Sequence, residues 1–116
     1  MPFIRIYGIP PLENQQGELE KLATKIRTRL EFSKEEFKIS KGATTIFFPP
    51  DLLFTGLGEE IIVDLGLRAK EGRTDAVIAA TAHAIVEIIR RSFPDIPLIE
   101  CFPNIVPREH FAQSKL

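Results

Sequence analysis

The sequence contains no tryptophan and has a single cysteine, a single tyrosine and a single methionine among its 116 residues. One thiol, Cys101, excludes an intrachain disulfide framework and suits a reducing compartment, so a cytoplasmic location is expected. An excess of charge of either sign is also missing. Fifteen Lys and Arg stand against sixteen Asp and Glu, giving a net charge of −1 and a pI near 6.1. A chain with no basic excess lacks the electrostatic means to hold a phosphate backbone, and no nucleic-acid partner is expected. No apolar run approaches the roughly 18 residues of a membrane span, and the first residues enter an alternating strand rather than a signal peptide. No membrane partner is expected either. GxGxxG, Walker, CxxC and HExxH patterns are all lacking. With two histidines and one cysteine, none at ligand spacing, neither a metal nor another cofactor is expected.

What is present is a chain of one-domain length, 44% hydrophobic and 27% charged. Its nine phenylalanines put much of the apolar area into rings without a polar handle. A domain this small buries a limited core alone, which leaves some of that area for subunit contacts. The chain opens on Pro2-Phe3-Ile4-Arg5-Ile6-Tyr7-Gly8, whose period-2 alternation sets Pro2, Ile4 and Ile6 on one face and Phe3, Arg5 and Tyr7 on the other. Pro10 and Pro11 end that strand. A helix follows from about Asn14, with Leu19, Leu22, Ala23, Ile26 and Leu30 as its buried stripe and acidic residues early, basic residues late. Ser33 to Phe37 reads as a short helical turn. A second strand spans Ala43 to Phe48 and stops at Pro49-Pro50. Asp51 to Gly58 is a connector whose Leu52, Leu53 and Phe54 are expected to pin it to the body or to a neighbouring subunit.

The third strand is Glu60–Arg68, with Ile61, Val63, Leu65 and Leu67 on one face and Ile62, Asp64, Gly66 and Arg68 on the other. Thr74 or Asp75 caps a second helix running to about Arg91, and Pro94 ends it. Pro97 to Pro103 reads as a fourth strand, and residues 104–116 as a tail. The order strand, helix, strand occurs twice, over residues 1–58 and 59–116. Two βαβ units with right-handed crossovers make an α/β chain, a two-layer α+β sandwich of one four-stranded sheet with both helices on one face.

Chemistry without His, Cys or metal narrows to a few groups. If Met1 is removed, Pro2 becomes a secondary amine at the start of a buried strand. Free α-amines titrate near pH ~8, and burial or a nearby cation lowers that value, so the nitrogen could serve as a general base at neutral pH. With Met1 attached, the proline at a strand's first residue is simply a position that has no ladder N–H to lose. Arg68 closes its strand, where spacing alone reads it as a solvated charge at a strand terminus, though a cation there could also hold a carboxylate or polarise a carbonyl. Lys70 and Arg73 read as loop charges, Arg5 as a surface or interface salt bridge, His83 as a helix histidine, Cys101 as inert strand packing, and Gly56-Leu57-Gly58 as a turn.

Met1-Pro2-Phe3-Ile4, the turn at Ile9-Pro10 before an amphipathic helix, Phe54-Thr55-Gly56, the second βαβ unit of matching length and Phe102-x-Asn104 are together similar to the tautomerase superfamily, and most to a bacterial branch of it. That superfamily includes macrophage migration inhibitory factor and 4-oxalocrotonate tautomerase. The resemblance implies a β-α-β-β-α-β homotrimer with the sheets around a central barrel and sites between subunits. It also implies an isomerase in which the proline nitrogen moves a proton within a small carboxylated enol or keto acid. Carried over by position, Pro2 is the base and Arg68 the carboxylate holder, while Lys34, Phe102 and Asn104 bind substrate. Phe102 stands where the family has a tyrosine, so the hydroxyl is missing. Two other readings remain open from the residues: a non-catalytic homotrimer that keeps the fold as a binding or assembly module, and a ferredoxin-like ligand-sensing domain. For the latter, an open sheet with the first and third strands at its centre is the expectation.

Overall fold

The computed structural model describes residues 2–116. Strand β1 (Phe3–Tyr7) alternates as its sequence requires, with Ile4 and Ile6 buried beneath the helices and Arg5 and Tyr7 exposed on the other face. Helix α1 (Gln15–Glu31) begins where the Asn14 side chain accepts from the Gly17 N–H, filling one of the donors a helix start leaves without a partner. Its Leu22, Ala23, Ile26 and Leu30 are buried. Helix α3 (Asp75–Ser92) is capped by Thr74, which accepts from the Val77 N–H, and buries Ala84, Ile85, Ile88 and Ile89. His83, one residue before Ala84, is exposed. Strand β3 (Glu60–Arg68) keeps the predicted bounds, and Ile61, Val63, Leu65 and Leu67 complete the core against both helices.

The sheet order is β2-β1-β3-β4, with β2 (Thr45–Phe47) and β4 (Leu98–Val106) at its edges. β1 runs parallel to β2, β3 runs parallel to β4, and the central pair β1 and β3 is antiparallel. Each helix therefore crosses between two directly adjacent parallel strands. A ferredoxin-like sheet also places its first and third strands centrally, so that expectation does not separate the two folds. The pairing does, because a split βαβ unit leaves another strand between its two parallel strands and here none intervenes.

Three sequence expectations change. β2 pairs over three residues rather than six, because Pro49 and Pro50 bring no N–H to the ladder and the strand has one neighbour. β4 does not stop at Pro103 but runs to Val106. The proline is tolerated because β4 is an edge strand, where a missing N–H can face outward. The apolar pair Ile105-Val106 thus belongs to the sheet, and the Val106 carbonyl accepts from the Ala69 N–H at 2.8 Å. Leu52, Leu53 and Phe54 do not pin the connector to this chain's own body, since each is at least 72% exposed. The loop is closed instead by Asp51, whose carboxylate accepts from the Gly56 N–H at 2.8 Å.

On the sheet face away from the helices, Gly66 is required. A Cβ there would run into the Phe3 ring, which lies across the strand at that point. Arg5 packs over the same ring at 4.7 Å and pairs with Asp64 at 3.1 Å, the surface salt bridge its position predicts. Core truncation such as Ile4→Ala would cost about 2–5 kcal/mol by cavity formation.

Candidate active site

Because β1 and β3 are antiparallel, the start of β1 lies beside the end of β3. Pro2, buried, and Arg68 therefore reach the same end of the sheet, and both line one cavity of about 570 Å3. The Pro2 carbonyl accepts from the Thr45 N–H at 3.1 Å, which fixes the residue against β2. Met1, on whose removal a basic proline nitrogen depends, lies outside the described residues.

The other walls come from two places distant in sequence. A short helix, α2 (Lys34–Phe37), follows α1 and is tied to it by a two-pronged pair between Arg29 and Glu36, both bonds 2.9 Å. It ends at Lys38 in the left-handed conformation, φ 58°, with the Lys38 N–H donating to the Lys34 carbonyl. That turn presents the Lys38 carbonyl to the loop after β3. Arg73 Nη2 donates to it at 2.9 Å and Lys70 Nζ at 3.1 Å, while Arg73 Nη1 donates to the Arg68 carbonyl at 2.6 Å. The Arg73 Nε–H is buried and has no protein acceptor among the described residues. After β4, a single 3-10 turn over Arg108–His110 folds the tail back so that Phe111 stacks on the Arg68 guanidinium at 4.3 Å.

Lys38, Arg68, Lys70, Arg73 and Arg108 thus line the cavity with Pro2, against one acidic side chain, Glu71. Loss of water lowers the Lys70 ammonium below the ordinary lysine value, and Arg73, Lys34, Arg68 and Lys38 lower it further. Burial, then Arg68, does the same to Arg73, which stays charged at any physiological pH. A cavity with this lining favours anions, and the buried Arg73 N–H in its wall has no acceptor among the described residues.

Of the residues singled out from sequence, Pro2 and Arg68 meet in this cavity. Lys34 is close enough to act on Lys70 but does not line the cavity. Phe102 and Asn104 lie elsewhere, on the open sheet face. Phe102 is half exposed there, and Asn104 Nδ2 donates to Asp64 at 2.5 Å. The basic residues read as loop charges, Lys70 and Arg73, prove to be walls of the cavity, and Lys38 and Arg108 carried no sequence signal beyond their charge. Cys101 is packed against the core, and burial, then Asp64, pushes its thiol up to about 12, which leaves it unreactive. Among the described residues no group of three His, Cys, Asp or Glu is placed to hold a metal ion, and no helix is long and apolar enough to cross a membrane.

Similar architectures exist among solved structures. A fused wild-type 4-OT asymmetric trimer superposes with a TM-score of 0.69 at 14% identity, covering 96% of this chain and 91% of that one. The fold is that of the tautomerase superfamily. A domain of unknown function from Sebaldella termitidis covers 100% of this chain and 98% of its own at TM-score 0.70 and 12% identity. A malonate semialdehyde decarboxylase covers 97% and 91% at 0.65 and 8%. No protein-family model matches the chain, and no curated protein does. At these identities the tautomerase-like architecture is what is shared.

Proposed function

We propose that the chain is an isomerase of the tautomerase type, acting on a small carboxylated enol or keto acid with Pro2 as general base after removal of Met1. The observation that carries this is Pro2 on a cavity of about 570 Å3 that it shares with five basic residues and one acidic one. A free proline nitrogen titrates near ~8 before any perturbation, and cations at this range favour its neutral form, so it can accept a proton at pH 7. Arg68, held by the Phe111 ring, binds the substrate carboxylate. A second cation of the lining, Arg73 or Arg108, stabilises the negative charge on the oxygen when the proton leaves carbon or the enol hydroxyl. The protonated Pro2 then returns the proton to the other terminus, and no cofactor enters the balance.

Self-association belongs to the same reading. Phe47 and Phe102 are half exposed on the open sheet face, beside Tyr7 and Leu98, and solved relatives of this fold include trimers. In a homotrimer, Phe102 and Asn104 of an adjacent copy would complete the substrate site, with Lys34 at its rim. The test is turnover of phenylpyruvate-type and hydroxymuconate-type substrates by protein shown by intact mass to lack Met1. Pro2→Ala should abolish turnover, a loss of about 10²–10⁴-fold; undiminished turnover rejects the mechanism.

A second reading has its own support. The Pro2 carbonyl bond to Thr45 holds the strand whether or not the nitrogen is free. If native protein retains Met1, the nitrogen is an amide without basicity, and the chain is a non-catalytic homotrimeric binding or assembly module.

A further inference from the structure

Lys70 carries an amine into the cavity that neither reading above uses. Its Nζ makes one hydrogen bond, to the Lys38 carbonyl at 3.1 Å, and among the described residues no carboxylate pairs with it. Nearly every lysine elsewhere stands alone on the surface or beside a carboxylate, as Lys21 does with Glu18 and Lys38 with Glu35. Arg73, Lys34, Arg68 and Lys38 all bias the Lys70 amine toward its neutral form, with Glu71 the one acidic residue on the same cavity. Cations around an amine favour its neutral, nucleophilic form. The side chain is also exposed enough for a dissolved carbonyl compound to reach it.

Arg68 and Lys70 are two residues apart, at the end of β3 and in the loop that follows, and both line the cavity. A 2-oxo acid held by its carboxylate at Arg68 has its ketone on the adjoining carbon. We infer that Lys70 is a second amine of this site, forming an iminium with the ketone of bound 2-oxo acids. The neutral ε-amine adds its lone pair to the carbonyl carbon, and the nitrogen passes a proton by way of solvent to the carbonyl oxygen to give a carbinolamine. Protonation of that hydroxyl by solvent and loss of water leave the C=N⁺ cation. The bound iminium then draws electrons from the neighbouring carbon, which eases loss of a proton there. The inference rests on the reading of the cavity as a site for carboxylated keto acids, and not on a free Pro2 nitrogen.

The experiment traps the bond. The protein is incubated with pyruvate and sodium cyanoborohydride, which delivers hydride to an iminium carbon and makes the adduct permanent, and the modified residue is mapped by peptide mass. The expected result is one adduct, on Lys70, formed equally in Pro2→Ala and reduced about tenfold in Arg68→Gln, which removes the carboxylate holder. Folding of Arg68→Gln is checked by circular dichroism, and mapping of the unsubstituted chain stands without it. The inference is overturned by an absence of adduct or by an adduct confined to Pro2. It is equally overturned by labelling spread over Lys21, Lys25, Lys41 and Lys115 in the proportions of the urea-unfolded chain. Failure of the proline base is read separately, from isomerase turnover in Pro2→Ala, so a Lys70 adduct in that variant survives the loss of the other mechanism.

Discussion

The two ends of the sheet offer the same scaffold with opposite chemistry. At one end the start of β1 meets the end of β3 and a cavity of about 570 Å3 is lined by five basic residues. At the other, the end of β1 meets the start of β3, and a cavity of about 310 Å3 is lined by Ile6, Ile9, Leu19, Phe48 and other apolar residues. Its one charged side chain, Asp51, is already occupied by the Gly56 N–H. The repeat of βαβ units makes these ends equivalent positions. The difference lies in what leaves each strand: Ala69-Lys70-Glu71-Gly72-Arg73 after β3, and Gly8-Ile9-Pro10-Pro11 after β1. A sheet supplies two candidate sites, and the loops decide which of them can hold an anion.

The contrast can be broken or sharpened by substitution. The largest effect expected is at the charged end, where Arg68→Gln should lower kcat/KM about 10²-fold through loss of a charge-assisted carboxylate bond. Leu52→Ser at the apolar end should leave turnover unchanged, and equal losses would erase the distinction between the ends. Next comes stability, where the ends should not differ. Ile4→Ala and Ile6→Ala, on the same buried face of β1, should each lower unfolding free energy in urea by about 2–5 kcal/mol. Smaller still is the wall between α1 and β2. Glu31 accepts from the Gly42 and Thr44 N–H groups at 2.7 and 3.1 Å, and Glu31→Gln should cost about 1–2 kcal/mol.

Glu31 also sets a pH window. Burial would raise its carboxyl, but the bonds from Gly42 and Thr44, and the charge of Arg27, outweigh burial and hold it below the ordinary carboxylate value. The folded form thus releases this proton more readily than the unfolded chain. The contribution is present above the unfolded value of about 4.3, and is lost as pH falls through the lowered folded value. Urea midpoints measured from pH 6 downward should fall less steeply in Glu31→Gln than in the unsubstituted chain; parallel curves would assign the acid sensitivity elsewhere. The smallest effect is ionic. Added salt should weaken anion binding at the cationic end while leaving binding of a neutral apolar probe at the other unchanged.

Much of this was legible in the residues. Period-2 alternation in Phe3–Tyr7 and Glu60–Arg68 and the three-four spacing of Leu22, Ala23, Ile26 and Leu30 each describe a burial pattern that the fold satisfies. Prolines misled at the fourth strand, because the cost of Pro103 depends on whether the strand has one neighbour or two, and that is not a local property. The leucines and phenylalanine of the connector leave this chain's own body uncovered, which removes one half of the expectation and keeps the other, a neighbouring subunit, since apolarity says that a surface wants cover and not what covers it. In the cavity, Lys38 was invisible as a wall. Its contribution is a backbone carbonyl turned outward by a left-handed residue, and it meets Arg73 across 35 positions of chain.

The sequence by itself determined where the strands and helices lie and that a proline and an arginine sit at strand termini, because burial periodicity and the missing proline N–H act over a few residues. Tertiary structure alone decided that those termini share one cavity, and that Lys38, Lys70, Arg73 and Arg108 surround it. Like charges gather only where the antiparallel pairing of β1 and β3, the turn at Lys38 and the folded-back tail bring distant carbonyls and rings to hold them.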